Sequence, residues 1–233
     1  ITPPPDVERK CTNVFSPSTF ITTTLDINTS YAVYLYFEYE SQSKLKKQPL
    51  NVNSLLCVGL AAIDITTGKT LIDEGISTST DTETAIDLVS RFLATTSPKE
   101  IFITLNGEGK MTLDSIIEYL QIDKNMIKIK NSDNKYSKLS IQEEFLKKCY
   151  KHESMVSVIE SLNLENMNYA RVSLVMLLDL IHDLNPKNIE NLNEPQISSD
   201  SARLVLGNNA QFQLAIHNVN DNDYVSGIKY RSL

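Results

Sequence analysis

The sequence predicts an α/β fold, one mixed sheet with helices packed on its faces. Three observations carry that expectation. Leu56 to Asp64 is apolar almost throughout, the composition of a central strand covered on both sides. Thr66-Thr67-Gly68 turns this run back into the shorter run Thr70 to Asp73, with Gly68 supplying the permissive turn backbone of a hairpin. A helical pattern then separates the hairpin from another apolar run, Ile101 to Leu105, as a crossover between strands of one sheet requires.

Each element follows from its own residues. Residues 1 to 20 hold three consecutive prolines and a later Ser16-Pro17, so they read as an extended lead-in rather than a helix. Tyr31 to Glu40 is dense in aromatic and β-branched residues. Val33, Leu35 and Phe37 fall on one face of that strand, and Tyr34, Tyr36 and Glu38 on the other. The polar, basic stretch after it, with Lys44, Lys46 and Lys47, reads as an exposed loop. Asp81 or Thr82 suits an N-cap for a helix in which Ala85, Ile86, Val89, Phe92 and Leu93 recur at helical spacing, ending before Ser97-Pro98. Leu113 to Leu120 continues as a second helix and Met126 to Ile129 as a fifth strand. The order β-β-β-α-β-α-β is that of ribonuclease-H-like folds, with the fourth strand parallel to the first. Ile141 to Tyr150, Met155 to Leu162 and Tyr169 to Leu184 read as helices. The last is apolar nearly all round, so it should be buried, and Asn185-Pro186 stops it. Beyond it come a polar linker, a short extended run at Leu204 to Leu206 and a helical start at Asn208.

Composition narrows the function classes. The chain has 233 residues, 41% of them hydrophobic, enough for one good core with a smaller appendage. Its 22 basic residues against 29 acidic ones give a formal charge of −7, and the pI is about 5.0. An isolated duplex-DNA module would carry a basic balance instead. No apolar run approaches the length of a membrane span, and the N-terminal residues carry no basic-then-apolar secretion signal. Three scattered cysteines, Cys11, Cys57 and Cys149, fit a reducing compartment, so an intracellular, non-secreted protein is expected. The sequon at Asn28-Thr29-Ser30 then has no consequence.

Asp64 is the residue that invites a catalytic reading. Ribonuclease-H-like nucleases place a metal-binding Asp on a central strand, and sugar-kinase-type ATPases follow such an Asp with Gly and Thr. A two-metal nuclease needs several carboxylates converging on one point. The first and fourth strands offer none in their interiors, and Asp73, Glu74, Asp81 and Glu83 fall in or beside a loop. Asp64 and Thr66 are therefore read as holding the hairpin turn by side-chain bonds to the backbone. His152, His182 and His217 lack metal-ligand spacing, and Cys149 beside His152 lacks an orienting carboxylate. Residues Asn218, Asn220, Asp221, Asn222 and Asp223 imitate a calcium loop with glycine and glutamate out of place. No P-loop is present. No catalytic, cofactor or metal residue is expected in this chain.

Three phrases, in order, resemble the MutS family of DNA mismatch-repair proteins. Arg9-Lys10-Cys11-Thr12 with Ser16-Pro17-Ser18-Thr19 looks like the phrase with which such proteins leave the mismatch-binding domain. Val58-Gly59 through Asp64 to Thr67-Gly68, with Pro98-Lys99-Glu100-Ile101 downstream, is similar to the hairpin and later strand of the connector domain. Leu204 to Leu214 resembles the start of the lever domain. Residues 131 to 165 are least covered, and Gln213 stands where most members carry Glu, as in divergent branches similar to those of large DNA viruses and soft-coral mitochondria. The mismatch wedge, the ATPase motifs and the arginine phrase of the core are not in this sequence. The resemblance implies an exit segment at 1–20, a connector at 21–186 and the start of a lever at 187–233. It also implies that ATP, Mg and mismatched duplex DNA belong to a longer parent, which would be dimeric and meet a MutL-type partner. A viral factory, virion or mitochondrion would be its location, and Asn185-Pro186 a mechanical joint.

Overall fold

The computed structural model describes residues 16–17, 31–41, 54–78, 83–131, 134–150, 155–189 and 192–198. Those from 31 to 198 build a six-stranded sheet between two layers of helices. The strands are β1 (Tyr31–Ser41), β2 (Ser54–Asp64), β3 (Lys69–Ile76), β4 (Glu100–Asn106), β5 (Ile127–Ile129) and β6 (Gln196–Ile197). They lie in the order β5-β4-β1-β2-β3-β6. β1, β2 and β3 are antiparallel neighbours, with Tyr31 opposite Asp64 and Asp64 opposite Lys69. β4 runs parallel to β1, β5 to β4, and β6 to β3.

The helices are α1 (Thr84–Thr96), α2 (Leu113–Tyr119), α3 (Leu139–Tyr150), the single turn α4 (Val158–Ser161) and α5 (Asn168–Leu184). Strand alternation sorts the core into two halves. Val33, Leu35, Phe37, Val58, Leu60, Ile101 and Ile103 pack against α1 and α2. Tyr34, Tyr36, Ala61, Ile63, Ile72 and Phe102 face α3, α4 and α5. The period-2 pattern of β1 thus places its two faces in two different cores, as its residues predict. Each fully buried aliphatic side chain in these layers contributes about 1.5–3 kcal/mol.

Four local expectations are revised. The N-cap of α1 is Glu83, which makes no side-chain capping bond, while Asp81 and Thr82 lie outside the described residues. The helix expected at Met155 to Leu162 shrinks to α4, because Ser157 caps it by accepting from the Ile159 N–H at 3.3 Å. Met155 and Val156, before the cap, are exposed. Glu74 belongs to β3 rather than to a loop. The polar stretch after Pro186 returns to the sheet. A 3-10 turn at Pro186–Ile189 buries Ile189 in the core. The Asn193 N–H then donates to the Gly68 carbonyl at 2.8 Å, and the Ser198 N–H to that of Ile72 at 2.8 Å. The compact unit extends through Ser198.

Candidate functional site

The corner between β2 and β3 is built from the residues that suggested chemistry. Asp64 is fully buried. Its Oδ1 accepts from the Thr66 N–H at 3.0 Å and the Thr66 hydroxyl at 2.6 Å, and its Oδ2 accepts from the Thr67 hydroxyl at 2.7 Å. The Gly68 N–H closes the turn on the Asp64 carbonyl at 2.8 Å, and Gly68 takes φ +73, open to glycine at little strain. Both carboxylate oxygens are therefore engaged within the turn. Among the described residues no group of three His, Cys, Asp or Glu side chains is placed to hold a metal ion.

The other organised site is the seat of α5 on the sheet. A Cβ added at Gly59 of β2 would lie 2.0 Å from the Tyr169 carbonyl oxygen and 2.8 Å from the Ala170 nitrogen. The helix backbone thus rests directly on the strand backbone. From the next strand, Glu74 Oε2 accepts from the N–H groups of Tyr169 at 3.0 Å and Ala170 at 3.2 Å, two of the donors a helix N-terminus leaves unpaired. Burial holds the Glu74 carboxyl above its ordinary value, against those N–H bonds and the nearby Arg171 charge, which pull it down. Burial, then hydrogen bonds with Cys57 and Glu40, raise the Tyr169 phenol well above its usual range.

Arg171 locks the far side of this seat. It is 6% exposed, and its Nε donates to Gln142 on α3 at 2.5 Å. Its Nη1 donates to the Leu164 carbonyl at 2.7 Å and its Nη2 to Asn168 at 2.8 Å. One guanidinium therefore ties α3, the loop before α5 and α5 itself. Nothing in the sequence marks this role, since an arginine in an apolar helix reads as an exception to the pattern. Deeper in the layer, the Ser173 hydroxyl donates to the Tyr34 carbonyl at 2.9 Å, and Tyr34 shares a 2.6 Å hydrogen bond with Thr104. Burial pushes the Tyr34 phenol up to about 12.

The remaining sequence candidates do not converge. Cys149 is buried, and burial pushes its thiol up to about 12, so it is no thiolate nucleophile at neutral pH. His182 meets Lys148 Nζ at 3.0 Å and the edge of Phe145. His152, His217, Cys11, Lys44, Lys46, Lys47, the sequon at 28–30, residues 204–214 and the acidic loop at 218–223 lie outside the described residues. No described helix is long and apolar enough to cross a membrane.

No protein-family model matches the chain. It is similar to a protein of Acanthamoeba polyphaga mimivirus whose name describes a homologue of the DNA mismatch repair protein MutS. The two are 30% identical over 241 aligned positions, which cover 92% of this chain and 20% of that protein. This chain therefore spans about a fifth of its relative's length. The phrase Val58-Gly59 through Asp64 to Thr67-Gly68, one of the three noted in the sequence, is also the phrase whose residues seat α5 and close the β2–β3 corner. Over most of its own length the chain is thus similar to a MutS-type DNA mismatch-repair protein.

Proposed function

We propose that this chain is the connector of a MutS-type protein, a non-catalytic α/β spacer between mismatch-binding and ATPase parts that lie elsewhere in its parent. The observation that carries the reading is the backbone-to-backbone seat of α5 on Gly59, clamped by Glu74 and Arg171. Such a seat transmits displacement instead of absorbing it, because packed cores yield little before they rearrange. The strand order β3-β2-β1-β4-β5, with β4 and β5 parallel to β1, supports assigning the sheet to the ribonuclease-H-like folds. In this reading ATP, Mg and mismatched duplex DNA are handled by the parent. The parent acts as a dimer, and the connector offers a surface to a MutL-type partner.

Asn185-Pro186 is disfavoured as the joint, because the chain beyond it returns to the sheet. Bending at Pro186 would pull Ile189 from the core and strip β6 from β3. In the full-length protein, Pro186→Ala should leave ATP-driven rearrangement unchanged, read by fluorescence transfer between labels on either side. A rearrangement slowed or abolished by that substitution would restore Asn185-Pro186 as the joint. A nuclease or ATPase centred on Asp64 is the rival reading. Its carboxylate is disfavoured as a metal ligand by full burial and by three short donor contacts. Divalent-metal-dependent cleavage or nucleotide binding by this chain, abolished in Asp64→Asn, would establish the rival instead.

A further inference from the structure

Seven lysines fall within residues 124–148 against three carboxylates, in a chain whose net charge is −7. All seven are exposed or half-buried. The structure sets four of them over aromatic rings: Lys128, paired with Glu100, lies 5.7 Å from the ring centre of Phe102, and three others carry the face beside α5. Lys130 lies 5.9 Å from the ring centre of Phe102, Lys135 4.5 Å from that of Tyr136, and Lys148 5.9 Å from that of Phe145. Tyr136 donates to Asp179, and Phe145 packs edge-on against His182 with ring centres 6.1 Å apart, so both rings are held to α5. Lys130, Asn131 and Tyr136 line a recess of about 130 Å3 with Tyr34, Met176 and Leu180.

Carboxylates near these lysines are largely engaged with other groups. Glu100 pairs with Lys128, Asp179 accepts from Tyr136, and Glu143 accepts from Ser157 at 2.8 Å. Among the described residues, Asp183, beside His182, is the exposed counter-charge on this side of α5, and Glu144 the exposed one on α3; Asp133 lies outside the described residues.

We propose that this lysine–aromatic face binds single-stranded nucleic acid, with phosphates on Lys130, Lys135 and Lys148 and a base edge against Tyr136 in the recess. Ammonium groups beside partly exposed rings, here Tyr136 and Phe145, are what a strand with unstacked bases uses, while Phe102 is buried beneath Lys130. A duplex would engage the lysines through its phosphates and leave the rings idle. An acidic peptide would do the same. The proposal goes beyond the connector reading and does not depend on it.

The test is fluorescence anisotropy of the full 233-residue chain with a labelled oligothymidylate of about 20 nucleotides, a duplex of equal length, and polyglutamate as competitor. The single strand should bind most tightly. Reversing Lys130, Lys135 and Lys148 together to Glu should weaken it at least about tenfold and flatten the log K against log salt slope by about 2, at about 0.7 per lost phosphate contact. Tyr136→Leu should weaken the single strand more than the duplex. Reversing the exposed lysines Lys69, Lys99 and Lys110 instead should change affinity far less, with unchanged far-UV circular dichroism in every variant. The proposal is overturned by no binding of the strand, by equal loss in both triple variants, by a duplex bound as tightly, or by polyglutamate competing as well as the strand.

Discussion

Replacing Gly59 with alanine tests the seat of α5 directly. The added Cβ would stand 2.0 Å from the Tyr169 oxygen and 2.2 Å from its carbonyl carbon, where ordinary contact begins near 3.4 Å. Those are backbone atoms in the first turn of a helix, so no rotamer change relieves the clash. The turn must lift by about 1.5 Å, which loosens the two N–H bonds to Glu74 and the packing beneath them. Overpacking costs about 1–3 kcal/mol where side chains can adjust. Losing a helix cap adds about 1 kcal/mol, against at most about 0.8 kcal/mol gained by burying one methyl. The expected loss is therefore about 3 kcal/mol. Urea unfolding followed by far-UV circular dichroism, with an m-value of about 2–3 kcal/mol/M, should show the midpoint falling by about 1–1.5 M. Gly75→Ala is the internal control, since the atom its Cβ would crowd is the Leu88 Cδ2 tip at 2.6 Å, which can swing away, and its next contact is an ordinary 3.7 Å to Val58. A Gly59→Ala midpoint within about 0.3 M of wild type, or a larger loss at Gly75, would refute the backbone seat.

Three further outcomes are expected. Asp64→Asn keeps one acceptor oxygen but loses the one that takes the Thr67 hydroxyl, and should cost about 1–2 kcal/mol in thermal unfolding, with Asp64→Ala costing more. Glu74 carries a folded pKa above its unfolded value, so its stabilising contribution is present below about 4.3 and is lost as pH rises through the folded value. The Tm of Glu74→Gln relative to wild type should therefore climb as pH is raised from 4 to 8, and a fall over that range would contradict the assigned burial. In a Cys11→Ser variant, the two buried thiols Cys57 and Cys149 should resist a disulfide-exchange reagent at pH 8 and both react in denaturant. Rapid labelling of the native protein would argue against their burial.

The elements that were legible in the sequence are those whose residues answer to one dominant requirement. β1 alternates because its faces enter different cores, and β2 is continuously apolar because both of its sides are covered. The Asp64 corner was readable because an Asx turn is local chemistry, set by residues two and three apart. What escaped was set by distant partners. Glu74 looked like a loop carboxylate because its purpose, the N-terminus of α5, lies 95 residues away in the chain. Arg171 shows up as an anomaly in an apolar helix until Gln142 and the Leu164 carbonyl are beside it. β6 is two residues long and held largely by backbone bonds to β3, so its side chains carry little signal. Gly59 was visible as part of a family phrase, but its reason, a helix lying on the strand, belongs to packing alone.

The strand lengths have a consequence for behaviour in solution. The central strands β1 and β2 each run 11 residues, whereas the outermost strands β5 and β6 have three and two. The two longest strands are therefore paired along both edges, the outermost strands are very short, and on one rim Lys128 sits in the middle of the strand. Short, charged margins are a recognised defence against edge-to-edge addition of a second sheet. The long hydrophobic strands are thus confined to the interior of the ladder, which favours discrete particles over fibrous growth at high concentration.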